Sequence, residues 1–285
     1  MRMWSRLAPL RLLARCISAY GAPAGMRMWW GMRRRGGDEP SAVIVPGYAQ
    51  PVWIRPGTSD VAVFERMFLR HALDANSYPQ QGRVDARARE LGARAVVIDG
   101  GANIGLAAVW FARRYPQAKI MAVEPDPANV AMIRKNAAGY PNIVTVQAGL
   151  WDGPASLQIV NPEARPWERK VGEVEQAPTA GTVRSVTVNE LLATAGGEPL
   201  IVKLIIEGAE KAVFRSNTEW LDRTPLVIYM PGDWAHPWDG AGRTAMAALA
   251  RQPYDWIVRE LCVFCFRDPA AAPTEISAPA PARCG

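Results

Sequence analysis

Short apolar runs alternate with amphipathic stretches through the middle of the chain. The first strong run covers residues 95–98, Ala-Val-Val-Ile, and is closed by Asp99 and a glycine-rich turn. Apolar side chains at helical spacing follow over residues 104–115, until Pro116 ends the run. A continuous apolar run of this length is typical of a strand buried on both faces, as in a parallel sheet. The pattern therefore predicts a strand, a tight turn and a helix.

The same alternation recurs along the rest of the chain and predicts one α/β domain over residues 41–268. Further strands are predicted at residues 119–123, 143–148, 155–160, 182–188, 199–206, 226–230 and 256–266. Further helices are predicted at residues 61–73, 127–138, 188–195, 209–214 and 245–251. Residues 41–54 favour a small hairpin, whereas residues 161–181, with three prolines and little periodicity, favour a long loop.

The turn after the first strand has the features of a ligand cleft. Glycines at positions 100, 101 and 105 allow the backbone to adopt positive φ and to approach a ligand closely, and the next helix points its free amides into the same space. Glu124 ends the following predicted strand, about 20 residues beyond the turn, where a carboxylate can accept both hydroxyls of a ribose. The alternative is an ordinary strand–helix turn whose glycines serve packing alone.

The spacing of the turn narrows the choice of ligand. It is not Gly-x-Gly-x-x-Gly, and no Gly-Lys-Ser/Thr follows, so a dinucleotide pyrophosphate or a phosphate loop is disfavoured. Asp99 at the tip of the strand suits a ligand that is positively charged near the loop. S-adenosylmethionine, with its ammonium and sulfonium, is such a ligand. A nicotinamide dehydrogenase remains a third interpretation, opposed by the missing Gly-x-Gly.

Four motifs together make the interpretation more specific. They are residues 55–60 (Arg-Pro-Gly-Thr-Ser-Asp), 99–105 (Asp-Gly-Gly-Ala-Asn-Ile-Gly), 123–127 (Val-Glu-Pro-Asp-Pro, with Asn136 following) and 203–210 (Lys-Leu-Ile-Ile-Glu-Gly-Ala-Glu). In this order they resemble the motifs of the FkbM family of S-adenosylmethionine-dependent methyltransferases, over about residues 50–267. The resemblance implies a class I methyltransferase (Rossmann-like) fold: a seven-stranded, mostly parallel sheet with helices on both faces.

The resemblance also implies a set of site residues. The helix predicted at residues 61–73 is expected to close over the cofactor, with Asp60 near the pocket. The expected cofactor-binding residues follow the ends of successive strands: Asp99, Gly101, Asn103, Gly105, Glu124, Asp126, Gly149 and Leu150. The expected acceptor is a hydroxyl of a sugar, a glycolipid or a secondary metabolite.

The chain departs from the family at two positions. Ile205 stands where the family usually has an aspartate, and Tyr229, followed by Met and Pro, stands where it usually has a glutamate. Both carboxylates are expected to face the transferred methyl group. Their absence leaves His236 and Glu207 as candidate catalytic residues, with Asp233 and Asp239 behind them. The alternative is a catalytically impaired protein that still binds the cofactor.

Charge and composition bear on partners and location. The net charge is +6, but residues 1–37 hold eight arginines and no acidic residue, which leaves −2 for the remainder. Nucleic acid is therefore disfavoured as a partner. Residues 1–40 are expected to be a separable basic arm, with an amphipathic helix over residues 1–20 and a linker after it. Such an arm suits the surface of an anionic membrane; the alternatives are an organellar transit peptide and an unstructured basic tail. Residues 269–285, rich in Ala and Pro, are expected to be disordered.

The cysteines and the content of arginine and alanine bear on location, metal binding and source. Four scattered cysteines do not form a disulfide framework, which favours a reducing cytoplasm, with the arm peripheral to the inner membrane. Cys262 and Cys265 lie in an apolar run with no second ligand pair, so no metal site is expected. The excess of arginine over lysine and the abundance of alanine suggest a GC-rich bacterial genome.

Overall fold

The computed structural model describes residues 2–33, 39–161, 163, 171–174, 181–234, 237–268 and 270–271. Within them the helices are α1 (Arg2–Tyr20), α2 (Ala22–Arg33), α3 (Asp60–Phe64), α4 (Pro79–Leu91), α5 (Leu106–Arg114), α6 (Pro127–Ala137), α7 (Val188–Ala195), α8 (Glu210–Val213) and α9 (Ala241–Leu249). The strands are β1 (Ser41–Val43), β2 (Val52–Ile54), β3 (Ala95–Gly100), β4 (Lys119–Glu124), β5 (Ile143–Gln147), β6 (Gly149–Leu150), β7 (Ser156–Ile159), β8 (Val171–Glu173), β9 (Val183–Val186), β10 (Glu198–Leu204), β11 (Leu226–Tyr229), β12 (Tyr254–Arg259) and β13 (Cys262–Arg267).

A seven-stranded sheet forms the centre of the domain. Its strand order is β12-β13-β11-β10-β3-β4-β5, and the five strands from β11 to β5 are parallel. Only the edge formed by β13 and β12 pairs antiparallel. This is the mostly parallel sheet that the resemblance implies, so the predicted fold class is confirmed. The strands predicted at 155–160 and 182–188 lie instead in a separate four-stranded sheet, β6-β9-β7-β8.

Alternating residues of the central strands fill two apolar layers, one on each face. Val97 and Ile228 pack in the layer beneath α4, α5 and α6, whereas Ile98 and Val227 pack in the layer beneath α7, α8 and α9. Side chains of a strand alternate between faces, so strands covered on both sides must be apolar throughout. This explains why the continuous apolar runs were informative in the sequence.

The N-terminal segment differs from the expected separable arm. Residues 22–33 are helix α2 rather than a linker, and α2 packs against α1. Cys16, Met28 and Met32 are fully or almost fully buried in the main apolar layer, and a Cβ on Gly25 would lie 2.6 Å from the backbone of Cys16. Within the amphipathic helix predicted over residues 1–20, the apolar side chain of Leu10 is 58% exposed. The two helices form a hairpin that belongs to the core.

Two other local expectations change. The helix predicted at 61–73 begins one residue earlier, as α3, and continues as a π-helical turn that ends at Leu69. The predicted loop at 161–181 contains the short strand β8, because Val171 is buried against the small sheet. The hairpin predicted at 41–54 is present as β1 and β2. Of the predicted disordered tail, all but residues 270–271 lies outside the described residues.

Candidate active site

The strand order reverses between β3 and β10, and a pocket opens there at the carboxyl ends of the strands. From β3 the chain proceeds outward to β4 and β5, whereas from β10 it proceeds in the other direction to β11. Such a switch point leaves a crevice for ligands in open α/β sheets. The β3–β4 half of the pocket is lined by Gly101, Ala102, Asn103, Val123, Glu124, Pro125, Ala148, Gly149 and Leu150. The β10–β11 half is lined by Val63, Arg66, Met67, Ala72, Leu73, Ile205, Ile206, Glu207, Met230, Leu261 and Cys262.

The glycine loop is shaped by a close approach to the end of β10. Gly101 has φ of +68°, and a Cβ there would lie 1.9 Å from the carbonyl oxygen of Ile205. No other residue fits this position, because real side chains do not approach a backbone oxygen so closely. Asn103 also has positive φ, at 51°, and is held by its N–H, which donates to Glu124 Oε2 at 2.9 Å. Backbone strain of this kind, at a non-glycine residue, is frequent at functional sites.

Asp99 does not line the pocket but lies beneath it. The side chain is fully buried, and Lys203 Nζ lies 2.8 Å from its Oδ1. The same ammonium donates to the carbonyl oxygens of Gly100 at 3.1 Å and Gly101 at 3.0 Å. Lys203 therefore fixes the loop from below, and Asp99 balances its charge. This position corrects the expectation that Asp99 faces the positive groups of a ligand.

Glu124 lies at the end of β4 and lines the pocket as predicted. Its carboxylate accepts the N–H of Asn103, the N–H of Asp126 at 3.1 Å and the Nδ2 of Asn129 at 3.3 Å. Burial raises the pKa of the Glu124 carboxyl to about 7, against these three donors, which lower it. Two carboxylate oxygens with about four acceptor sites can hold these donors and still accept a ligand hydroxyl.

A chain of contacts links Glu124 to the N-terminal motif. Asn129 accepts a 2.7 Å hydrogen bond from Arg55 Nη2. Arg55 also forms a bidentate salt bridge with the buried Asp60, at 2.8 and 2.9 Å. Asp60, expected near the pocket, does not line it; among the described residues it is linked to Glu124 through Arg55 and Asn129. The motif at residues 55–60 thus supports the carboxylate of Glu124 from behind.

Of the remaining predicted cofactor-binding residues, some line the pocket and others have structural contacts. Gly149 and Leu150 line the pocket. Asp126 does not, because its side chain caps α6 by accepting the N–H of Ala128 at 2.8 Å. Gly105 has φ of 84°, and a Cβ there would lie 3.2 Å from the Cα of Ile133, so the glycine permits close packing of α6. The amide oxygen of Asn103 is buried and has no partner among the described residues.

The two departures from the family prove to lie on different faces of the sheet. Ile205 lines the pocket, as expected. Tyr229 is fully buried on the opposite face, where its ring packs against Phe214, and its hydroxyl has no partner among the described residues. Met230 faces the pocket instead. The expectation for Tyr229 is wrong because Leu204 pairs with Tyr229. The residues that follow them, Ile205 and Met230, are the ones that face the pocket.

Of the candidate catalytic residues, only Glu207 is seen to line the pocket. It has φ of 51°, which turns the chain immediately after β10. His236 lies outside the described residues. Asp233 accepts the N–H of Gly242 at 2.8 Å near the start of α9, and Asp239 Oδ1 lies 3.6 Å from Lys211 Nζ, so both have structural contacts away from the lining.

Several lining residues of the β10–β11 half were not anticipated. Arg66 lies on the π-helical turn, and Leu261 and Cys262 lie at the tip of the β12–β13 hairpin. The sequence held one signal for them: Arg259 and Glu260 separate two apolar runs by two residues, a spacing typical of a tight hairpin. Cys262 and Cys265 pack in different apolar layers, so they do not converge on one metal ion.

Comparison with known proteins gives partial matches. No family model matches the chain, so the resemblance to the FkbM family stays a prediction. A 100-residue segment is 28% identical to Methyltransferase sdnD of Sordaria araneosa, over 34% of each chain. A 66-residue segment is 38% identical to Methyltransferase 1 of Beauveria bassiana (strain ARSEF 2860), over 22% of this chain and 26% of that protein. The matches thus span about a third or less of these relatives.

Solved structures match more of the chain at lower identity. The SAH-bound methyltransferase PaMTH1 of Podospora anserina is 12% identical, covering 66% of this chain and 76% of its own, with a TM-score of 0.37. A putative O-methyltransferase from Klebsiella pneumoniae is 13% identical, covering 72% and 96%, with a TM-score of 0.36. Both sequence relatives are named methyltransferases, in agreement with S-adenosylmethionine as the cofactor. By its strand order and glycine loop, the chain has the class I methyltransferase fold.

Proposed function

We propose that the protein is an S-adenosylmethionine-dependent methyltransferase that methylates a hydroxyl of a small acceptor: a sugar, a glycolipid or a secondary metabolite. The observation that carries the proposal is the pairing of the glycine loop after β3 with Glu124 at the end of β4, beside the switch point. The carboxylate fits a ribose diol, and the unpartnered, buried Asn103 Oδ1 fits a donor such as an adenosyl or ammonium N–H. When bound, S-adenosylmethionine supplies a methyl group on a sulfonium, which needs no further activation.

The β10–β11 half of the pocket supports an apolar acceptor. Ile205, Met230 and Leu261 present aliphatic or thioether surface, which fits the skeleton of a secondary metabolite or the lipid part of a glycolipid better than a bare sugar. Glu207 is the described carboxylate in this half that can accept the proton released when a hydroxyl becomes an ether. His236 remains a second candidate for that role.

A second candidate function is a cofactor-binding protein with little or no methyl transfer. The specific observation in its favour is that Ile205 and Met230, the residues that project into the pocket from the two strand ends, are both apolar. Neither can accept a proton or hold a cation. Such a protein would bind the cofactor and act as a scaffold or as a regulatory partner of another protein.

Calorimetry and a transfer assay test the two functions in turn. S-adenosylhomocysteine is expected to bind in isothermal titration calorimetry and NAD is not; the reverse result would contradict the proposal and favour a dehydrogenase. Methyl transfer from labelled S-adenosylmethionine is then measured over a panel of apolar alcohols, phenols and glycolipids. Binding without transfer across the panel would favour the second function.

A charge variant shows whether the missing carboxylates limit the rate. Ile205→Asp combined with Met230→Glu is expected to raise single-turnover transfer by a factor on the order of 10², as a positioned base does. The control is Ile205→Asn with Met230→Gln, which matches size and polarity but cannot take up a proton. Equal rates in both pairs would show that the carboxylates are dispensable.

The N-terminal helices suit a peripheral contact with an anionic membrane, which we also propose. Trp30 is 67% exposed and Met26 is 52% exposed, beside exposed arginines. In the described part of the chain, no helix is long and apolar enough to span a bilayer. Sedimentation with vesicles of phosphatidylglycerol and phosphatidylcholine tests the contact, and Trp30→Ser with Met26→Ser is expected to weaken it. Equal sedimentation of the parent and this variant would contradict it.

A further inference from the structure

The outer wall of the β10–β11 half is built by two elements that meet over the pocket. The π-helical turn Glu65–Leu69 supplies Arg66 and Met67, and the tip of the β12–β13 hairpin supplies Leu261 and Cys262. A π turn inside a helix is uncommon and is frequently found at functional sites. It continues directly from α3, which supplies Val63 to the same wall.

Arg66 stands out in this wall because, among the described residues, most of its N–H donors have no hydrogen-bond partner. Its Nη2 donates to Cys262 Sγ at 3.7 Å, a weak bond, and its Nε lies 3.9 Å from Glu260 Oε2, beyond hydrogen-bond distance. Its side chain is 24% exposed. A guanidinium has five N–H donors in a planar fork, so this one can still hold a carboxylate through two parallel bonds.

Glu260 gives the guanidinium only partial compensation. It has φ of 52°, a strained conformation for a glutamate in a tight turn, and its other oxygen lies 3.6 Å from Arg70 Nη1. Arg70 also pairs with Glu65 at 3.2 Å. One carboxylate is thus shared by two arginines, at distances longer than a good ion pair. Apart from Lys203 and Glu207, most of the residues that line the pocket beside Arg66 are apolar.

We propose that Arg66 selects the acceptor, by binding a carboxylate carried on an otherwise apolar molecule. This inference rests on the proposed function and deepens it: the acceptor is an amphiphilic anion, and the guanidinium fixes its orientation beneath the apolar wall. A neutral molecule of the same shape leaves the arginine partly buried and poorly paired, which disfavours its binding.

A pair of matched probes tests the assignment without catalysis. The full-length protein is saturated with S-adenosylhomocysteine, and octanoate or octan-1-ol is used to displace the fluorescent anion 8-anilinonaphthalene-1-sulfonate. Octanoate is expected to displace it at concentrations at least tenfold lower than octan-1-ol. Arg66→Gln should raise the octanoate concentration needed about tenfold and leave that of octan-1-ol unchanged, and Arg66→Lys should give an intermediate value.

Arg70→Gln is the matched control, because Arg70 shares Glu260 with Arg66 but does not line the pocket. It is expected to leave octanoate displacement unchanged. Equal displacement by the two probes, no displacement by octanoate, or equal effects of Arg66→Gln and Arg70→Gln would overturn the assignment. Each variant is first titrated with S-adenosylhomocysteine. Loss of that binding in the parent protein would refute the proposed function itself, whereas loss of probe selectivity alone would refute only the role of Arg66.

Discussion

The affinity for the cofactor should depend on pH through Glu124. Burial raises the pKa of this carboxyl to about 7, so the group changes charge within the range in which the protein can be assayed. A ribose hydroxyl donates to a carboxylate, and only the ionised form accepts it in a charge-assisted hydrogen bond. Binding therefore favours the deprotonated carboxyl, and affinity should rise as pH increases.

The size of the effect follows from the ionised fraction. With a pKa of about 7, about a tenth of the carboxyl groups are ionised at pH 6 and about nine tenths at pH 8. The affinity for S-adenosylhomocysteine should thus increase about tenfold over this interval and level off above it. Isothermal titration calorimetry at pH 6, 7 and 8 measures the change. In Glu124→Gln the dependence should disappear, and at pH 8 the affinity should be at least tenfold lower than in the parent.

A second variant tests the cause of the dependence. Asn129 donates to Glu124 Oε1 and lowers the pKa of the carboxyl, so Asn129→Ala should move the midpoint to higher pH. The reasoning is refuted if Glu124→Gln keeps the pH dependence of the parent, because another group would then be responsible. It is also refuted if Asn129→Ala moves the midpoint to lower pH.

Three further predictions concern stability, measured by chemical denaturation. Gly101→Ala should lower the free energy of unfolding by about 2–5 kcal/mol, from positive φ and overlap with Ile205, whereas Gly196→Ala, with similar φ and open space, should lose only about 1–2 kcal/mol; equal losses would contradict the overlap. Tyr229→Phe should be neutral or stabilising by about 1 kcal/mol, because the buried hydroxyl lacks a partner, and a clear loss would reveal a hidden hydrogen bond. Removal of residues 1–37 should lower the free energy of unfolding by about 3 kcal/mol or more, because Cys16, Met28 and Met32 are buried. An unchanged free energy of unfolding would show that the segment is a separable arm.

The sequence was most informative where a side chain's role follows from its distance along the chain. Gly101 and Glu124 were found because a strand, a tight turn and the next strand end recur at fixed spacing in this kind of α/β unit. The apolar runs likewise predicted the strands of the central sheet. These strands are covered on both faces, so their sequences are apolar throughout and do not alternate with polar residues.

Errors arose where a side chain's direction depends on register or on distant partners. The resemblance predicts that Tyr229 faces the pocket at the end of β11, but the pairing of β11 with β10 decides whether Tyr229 or Met230 does so. Asp99 was assigned to a ligand because its partner, Lys203, lies 104 residues later in the chain. Glycine and proline in the segment of α2 predict a linker, whereas Gly25 and Gly31 permit close packing of the helix.

The contact between Lys203 and the glycine loop also constrains the order in which the protein folds. The strands β3, β4 and β5 are neighbours both in sequence and in space, so they can pair as soon as residue 147 has left the ribosome. The loop that joins β3 to α5 cannot take its final shape at that stage. The carbonyl oxygens of Gly100 and Gly101 accept hydrogen bonds from Lys203, which lies on β10. Pairing of β10 with β3 closes a loop of about a hundred residues, which is a slow step. A nascent chain should therefore acquire a native-like sheet before it acquires a ligand-binding loop.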